Sequence, residues 1–130
     1  MGSGAILTEV VKAAELLAGE GVVVDVFSIT SWSELARDGL AGEQAALRGE
    51  PAAPSFIARQ LANSGGPLVA ATDYVRALPE SVRAYLPAGR PYLTLGTDGF
   101  GRSDTRAALR QFFGVDAASI VRAVRWMLRA

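Results

Sequence analysis

Apolar and polar positions along the chain switch between a helical and a strand-like period. Between residues 5 and 18 the apolar side chains recur at spacings of three and four. This spacing predicts a helix that turns an apolar stripe toward a core and leaves Glu9 and Lys12 on its solvent side. Residues 22–29 follow as a β-branched and aromatic run, which predicts a buried strand.

The next segment carries a helix-start signal and then a series of helix breakers. Ser31 and Glu34 have the spacing of a capping box, so we expect a helix that begins at Trp32 and ends near Gly39. Residues 42–54 contain two glycines and two prolines. We expect an irregular or partly helical connection there.

The rest of the chain alternates helices with short strands. Apolar spacing, prolines and glycine-rich ends predict helices at 56–61, 79–86, 104–113 and 117–129, and strands at 68–72 and 92–95. In the helix at 104–113, we expect Leu109, Phe112 and Phe113 to point inward. Strands separated by helices favour an α/β fold, a three-layer sandwich with a mostly parallel sheet covered on both faces.

The start of the chain departs from this pattern. Such sheets normally open with a strand, whereas here a helix follows directly after Gly2-Ser3-Gly4. We therefore expect that the first strand is missing and that residues 1–130 form a single domain, a fragment of a longer chain.

Composition narrows the functional classes. A chain of 130 residues with 13 basic and 13 acidic side chains fits one globular domain and supplies no field that would attract nucleic acid. The sequence contains no Cys and no His, which excludes thiol chemistry and the usual general base. Without a run long enough for a membrane helix or a basic signal segment, the sequence predicts a cytoplasmic protein that binds no membrane.

The block Gly-Thr-Asp-Gly-Phe-Gly-Arg-Ser-Asp at residues 96–104 carries a family resemblance. It resembles the carboxyl-terminal domain of the homodimeric bacterial pyruvate dehydrogenase first component, a thiamine diphosphate enzyme related to transketolase. Further blocks in the family's order lie at residues 2–10, 26–32, 34–39, 72–74 and 113–116. The similarity is weakest across residues 41–54 and from Arg122 onward.

The resemblance implies a domain that stands behind two others, which bind thiamine diphosphate and magnesium and decarboxylate pyruvate. In the family this domain packs on the cofactor-binding domains and helps to hold a homodimer that passes acyl groups to a lipoyl acyltransferase core. The present chain has a single Asn, at position 63, and no His, so it lacks the residues of that cofactor centre. We expect a non-catalytic structural domain that supports the dimer and is inactive alone.

The loop at residues 97–103 is the best candidate for a site, because doubly wound sheets place ligands where their strands end. Its glycines bring backbone N–H groups close to an anion and Arg102 adds charge, whereas Asp98 repels a phosphate and the glycines also suit a tight turn. A further alternative is that Phe100 inserts into a neighbouring domain or subunit.

Two other aspartates draw attention. Asp73 follows a predicted strand and could join Asp98 and Arg102 in a polar cluster, or it could cap a helix. Asp25 lies within an apolar run and requires a sheet edge, an Arg partner or another domain. Two other functions stay open: a stand-alone module that binds a small anion, and an engineered or truncated fragment that self-associates through an exposed sheet edge.

Overall fold

A computed structural model describes residues 1–99 and 103–130 of the chain. The helices are α1 (Leu7–Gly19), α2 (Trp32–Leu47), α3 (Phe56–Leu61), α4 (Ala77–Glu80), α5 (Arg106–Phe113) and α6 (Ala117–Arg129), the strands are β1 (Leu68–Ala71) and β2 (Tyr92–Leu95), and short 3-10 turns span Gly4–Ile6 and Arg83–Tyr85.

The sheet is small and parallel. Strand β1 pairs with β2 from Leu68 opposite Tyr92 to Ala71 opposite Leu95. On the other side of β1, Gly2 forms parallel bridges to both Ala71 and Ser28. Residues 1–3 therefore lie between β1 and the segment at 22–29, where they occupy part of a strand position. The α/β fold with a parallel sheet is confirmed.

The prediction of a buried strand at residues 22–29 is wrong. This segment contacts the sheet through Gly2, whose N–H donates to Phe27 O at 3.0 Å and whose carbonyl accepts from Ile29 N at 2.8 Å. Val23 is 90% exposed and Asp25 is also exposed. A β-prone sequence forms a strand only where it has a partner to pair with, and of the three alternatives for Asp25 the structure shows the sheet edge.

Helix α2 begins at Trp32 as predicted, with the N–H of Glu34 donating to Ser31 Oγ at 3.2 Å. It ends at Leu47 instead of near Gly39. Gly39 and Gly42 both lie within the helix, so only the later part of the expected connection at 42–54, from Arg48 onward, is irregular.

Two later helices also differ from their predicted bounds. The single helix expected at 79–86 is replaced by α4 and the separate 3-10 turn Arg83–Tyr85. Helix α5 is capped by Thr105, whose Oγ1 accepts from Ala108 N at 3.2 Å, so it starts two residues later than expected. The predicted cap of α6 is confirmed, because Asp116 Oδ1 accepts from Ser119 N at 3.0 Å.

Each face of the sheet carries its own apolar core. Helices α2 and α3 cover one face, in a cluster of buried residues that comprises Met1, Trp32, Ile57, Leu61, Leu68, Ala70, Val82 and Tyr92. Helices α1 and α6 cover the other, in a cluster that comprises Ile6, Val10, Ala13, Leu17, Ala71, Val115, Ile120 and Val121. This is the expected three-layer sandwich.

The outer surface retains several large apolar side chains. Phe112 is 58% exposed, which contradicts the expectation that it points inward, and its ring makes an edge-to-face contact with Phe113. No helix in the described part of the chain is both long and apolar enough to cross a bilayer.

Candidate functional site

A crevice lies at the carboxyl ends of β1 and β2, where the sequence placed its candidate site. Asp73, Thr97 and Gly99 line it from the strand ends, and Arg106 and Arg110 line it from α5, around a cavity of about 510 Å³. A parallel sheet is expected to carry its ligands at this edge.

The structure describes two of the four candidate site residues that the sequence predicted. Asp73 lines the crevice, and Asp98 lies in the adjoining loop. Phe100 and Arg102 fall outside the described residues, so the roles assigned to them stay predictions. The same holds for the polar cluster of Asp73, Asp98 and Arg102.

The loops that follow the two strands are joined by hydrogen bonds. Thr97 N donates to Tyr74 O at 2.9 Å, and Thr97 Oγ1 donates to Asp73 O at 2.7 Å. The Arg76 N–H donates to Asp98 Oδ1 at 2.8 Å. The Asp98 carboxylate thus binds the backbone of the loop after β1, a contact that the sequence pattern did not indicate.

Glycines allow these loops to approach closely. A Cβ on Gly96 would lie 2.8 Å from Tyr74 O and 2.9 Å from Arg76 N. A Cβ on Gly4, whose φ is +58°, would lie 2.9 Å from Asp73 Oδ1. The Asp73 carboxylate therefore packs on Gly4. The helix-capping interpretation of Asp73 is wrong for α4, because its N-cap residue is Arg76 and has no side-chain cap.

A buried carboxylate connects three helices beside the crevice. Glu9 on α1 is 7% exposed, which contradicts its expected place on the solvent side. Its Oε1 accepts from Arg110 at 2.8 Å and its Oε2 accepts from Ala117 N at 2.9 Å. The partners come from α5 and from the first residue of α6, about a hundred positions away in the chain, so no local pattern could have indicated them.

A second acidic group is held under β2. Thr94, which is 1% exposed, donates its hydroxyl to Glu80 Oε1 at 2.6 Å. Arg83 donates to both carboxylate oxygens of Glu80, at 2.6 and 2.8 Å. These hydrogen bonds from Arg83, assisted by Thr94 and by the charges of Arg83 and Arg76, lower the pKa of Glu80 from 4.5 to about 2. With this lowered pKa the Glu80 carboxylate is ionised near neutral pH, whereas general acid–base catalysis works best with a pKa near the working pH.

Residues 1–3 are tied to β1 through a buried polar chain. The indole Nε1 of Trp32 donates to Ser3 Oγ at 2.9 Å. Ser3 Oγ in turn donates to Thr72 Oγ1 at 2.9 Å, and Thr72 Oγ1 also accepts from Tyr74 N at 3.2 Å. These hydrogen bonds fix α2, residues 1–3 and the end of β1 in one arrangement.

The cofactor implied by the resemblance does not fit these residues. Within residues 1–99 and 103–130, no group of three or more Asp, Glu, His or Cys side chains could hold a metal ion. The carboxylates of Asp98 and Glu9 beside the crevice already bind backbone N–H groups or an arginine, and among the described residues that line the crevice Asp73 is the one acidic side chain. A thiamine diphosphate and magnesium centre therefore finds no matching set of ligands in the described part of this chain.

The parallel sheet between two helical layers, with its strand-end loops bound to each other, defines a three-layer α/β domain. The chain belongs to the family described as "Transketolase-like TK C-terminal domain", whose model matches residues 1–116. This confirms the family indicated by the sequence.

The curated proteins that are similar to this chain belong to one kind of enzyme component. The chain is 47% identical over 127 residues to the pyruvate dehydrogenase E1 component of Mycolicibacterium smegmatis, covering 95% of this chain and 14% of that protein. It is 48% identical over 127 residues to the component from Mycobacterium tuberculosis, with coverages of 95% and 13%. For the Escherichia coli component the identity is 48% over 124 residues, with coverages of 93% and 14%. The chain thus spans 13–14% of the length of these relatives.

Among solved structures, the fold is similar to a chain described as "Split gene transketolase, inactive beta4 tetramer". The TM-score is 0.65 at 22% identity, covering 98% of this chain and 38% of that chain. At this identity the likeness establishes the fold.

Proposed function

We propose that this chain is the non-catalytic, dimer-supporting domain of the pyruvate-decarboxylating component of a pyruvate dehydrogenase complex. The observation that carries the proposal is the set of contacts made by the carboxylates on and around the crevice. Asp98 and Glu9 hydrogen-bond to backbone N–H groups and Glu80 to Arg83, while Asp73, which lines the crevice, packs on Gly4. These contacts hold loops and helices in place, and the hydrogen-bonding capacity of these carboxylates is used within the protein.

In this proposal the cofactors and the chemistry belong to other parts of a parent enzyme. Thiamine diphosphate and magnesium would bind to the remaining domains, two copies would form a homodimer, and acyl groups would pass to a lipoyl acyltransferase core in the cytoplasm. The relatives support this division, since the chain matches 13–14% of their length.

The surface proposed to contact those domains is an apolar patch in the loop after β1. Tyr74 is 59% exposed and Val75 is 50% exposed, and the hydrogen bond from Thr97 N to Tyr74 O fixes the loop that carries them. Exposed apolar side chains on a fixed loop are typical of a contact surface. We also propose that Phe100, which lies outside the described residues, inserts into a neighbouring domain or subunit.

The experiment combines this chain with the Mycolicibacterium smegmatis E1 component from which the matching segment has been deleted. We expect binding in light scattering after size exclusion, and pyruvate-dependent carbon dioxide release from the mixture with thiamine diphosphate and magnesium. The chain alone with the same additions should release none above background. Turnover by the chain alone, or the absence of binding, would contradict the proposal.

A pair of variants tests the contact surface. Replacing Tyr74 and Val75 by Ser should weaken binding about tenfold or more, since each apolar side chain buried at an interface contributes about 1 kcal/mol or more. Leu47→Ser is the control, because Leu47 is 81% exposed at the end of α2. If both proteins bind equally well, the loop after β1 is not the contact.

A further inference from the structure

One face of α6 carries a stripe of exposed side chains. Its members are Arg122, Arg125, Trp126 and Arg129. They recur at spacings of three and four residues, which places them on one side of the helix. Trp126 is 61% exposed and lies between Arg122 and Arg129, about one turn from each. We call these four residues the Arg–Trp stripe.

The positive charge of the stripe is balanced at one position. Arg125 donates through Nε to Glu20 Oε2 at 3.0 Å, which fixes the middle of the stripe to the residue after α1. Arg122 donates to the neutral Ser119 Oγ at 2.8 Å. In the described part of the chain, neither Arg122 nor Arg129 forms an ion pair. Since α6 contains no acidic residue, an uncompensated charge lies on each side of the exposed indole.

The composition of the stripe is typical of a protein contact, because Trp and Arg are enriched among the residues that dominate binding. A membrane is a poor fit, since a helix that binds a bilayer inserts its apolar face. On α6 that face is buried in the domain through Ile120, Val121 and Met127. A second copy is also a poor fit, because a two-fold dimer through this face would set arginine against arginine. Charge complementarity therefore favours an acidic segment of another protein.

We propose that the Arg–Trp stripe binds an acidic amphipathic helix of a partner protein, whose carboxylates pair with Arg122 and Arg129 and whose apolar side chains cover Trp126. The two arginines are seven positions apart in the sequence, or about 10 Å along the helix axis. Residues seven apart on a partner helix have the same separation and lie on one face. The partner sequence therefore carries acidic residues at i and i+7 and apolar residues at i+3 and i+4.

The stripe is separate from the surface proposed to support a parent enzyme. That surface is the loop after β1, which carries Tyr74 and Val75, whereas every residue of the stripe belongs to α6. Binding of a partner helix to the stripe uses none of the residues of that loop. The inference therefore does not depend on the proposed supporting role.

The test uses the intact chain and the peptide acetyl-Gln-Ala-Glu-Ala-Gln-Leu-Leu-Gln-Ala-Glu-Ala-Gln-Leu-Leu-Gln-Ala-Glu-amide, which has the required spacing. Fluorescence reports on the stripe, because Trp126 is exposed whereas the second tryptophan, Trp32, is 4% exposed. The peptide should shift the emission to shorter wavelength, and added salt should weaken its binding. The same peptide with Gln in place of each Glu should bind about tenfold more weakly, which corresponds to about 1.4 kcal/mol. Equal affinity of the two peptides, or no binding at millimolar concentration, would overturn the proposal.

Two double variants locate the peptide. Arg122→Gln with Arg129→Gln should weaken binding about tenfold or more. Arg37→Gln with Arg48→Gln removes the same charge from two exposed arginines of another surface and should bind as the parent does. If the two double variants bind the peptide equally well, the attraction is not specific to the stripe and the proposal is refuted. Sedimentation with phosphatidylserine vesicles without peptide binding would also refute it, as would a dimer of the chain that Trp126→Ser dissociates.

Discussion

The packing of α2 on the turn Arg83–Tyr85 can be tested by exchanging single glycines for alanine. A Cβ on Gly39 would lie 2.7 Å from Cδ1 of the Tyr85 ring and closer still to Cγ and Cδ2. Gly42 lies one turn farther along the same helix, and a Cβ there would meet nothing within 4 Å. The two substitutions are chemically identical and differ only in this neighbour.

The expected magnitudes have opposite signs. In a helix interior, Gly→Ala gains about 0.5–1 kcal/mol from the smaller entropy loss on folding, so Gly42→Ala should stabilise the protein by about that amount. At Gly39 the same gain is opposed by overpacking, which costs about 1–3 kcal/mol. The contacts are with the near edge of the Tyr85 ring, which packs against the core of Trp32 and Val82. The overpacking cost should therefore lie near the upper end of the range of about 1–3 kcal/mol. After the gain from Gly→Ala is subtracted, Gly39→Ala should destabilise the protein by about 2 kcal/mol.

Guanidinium unfolding followed by circular dichroism measures both effects as shifts of the midpoint. The Tyr85→Ala background supplies a further check, because Gly39→Ala should become neutral or stabilising once the ring has been removed. If Gly39→Ala is as stable as Gly42→Ala, α2 does not pack on Tyr85. The assigned arrangement of this face of the sheet would then be refuted.

Two further predictions concern the buried and the ionised carboxylates. Glu9→Gln should lower the free energy of unfolding by about 1–3 kcal/mol, because it weakens charge-assisted hydrogen bonds to Arg110 and to the N-terminus of α6. For the exposed control Glu34→Gln, the free energy of unfolding should differ from that of the parent by less than about 0.5 kcal/mol. Equal losses in the two variants would contradict the role of Glu9. Because the pKa of Glu80 is lowered from 4.5 to about 2 in the folded chain, its ionised form stabilises the fold above pH 4.5, and this contribution is lost as the pH falls toward about 2. Glu80→Gln should therefore flatten the stability profile in this window, and an unchanged profile would exclude the pairing with Arg83.

The features that sequence analysis predicted correctly depend on contacts between near neighbours in the chain. The caps at Ser31 and Asp116 each involve an N–H three residues away. The strands β1 and β2 are short apolar runs bounded by glycine and proline. Parallel strands that are separated by helices all end at the same edge of the sheet, so the loops after β1 and β2 are expected to meet there.

The features that were missed depend on distant partners. The sequence predicts that α2 ends near Gly39, but the Tyr85 ring lies against Gly39 and the helix continues to Leu47. Residues 22–29 have strand-like composition and contact the sheet only through Gly2. Local spacing predicts a solvent-facing Glu9, because its partner Arg110 is 101 positions away in the chain. Tertiary contacts of this kind override local propensity.

Position and chemistry can be separated in this chain. The sheet still brings its loops together at the edge where related folds bind ligands, and this part of the architecture depends on packing and glycine contacts. Asp98 there binds the Arg76 N–H, and Thr97 binds the backbone of Asp73. The fold thus determines where a site can lie, and the side chains at that place determine whether it can bind a ligand or catalyse a reaction. In this domain they bind the protein's own backbone, as the proposed supporting role requires.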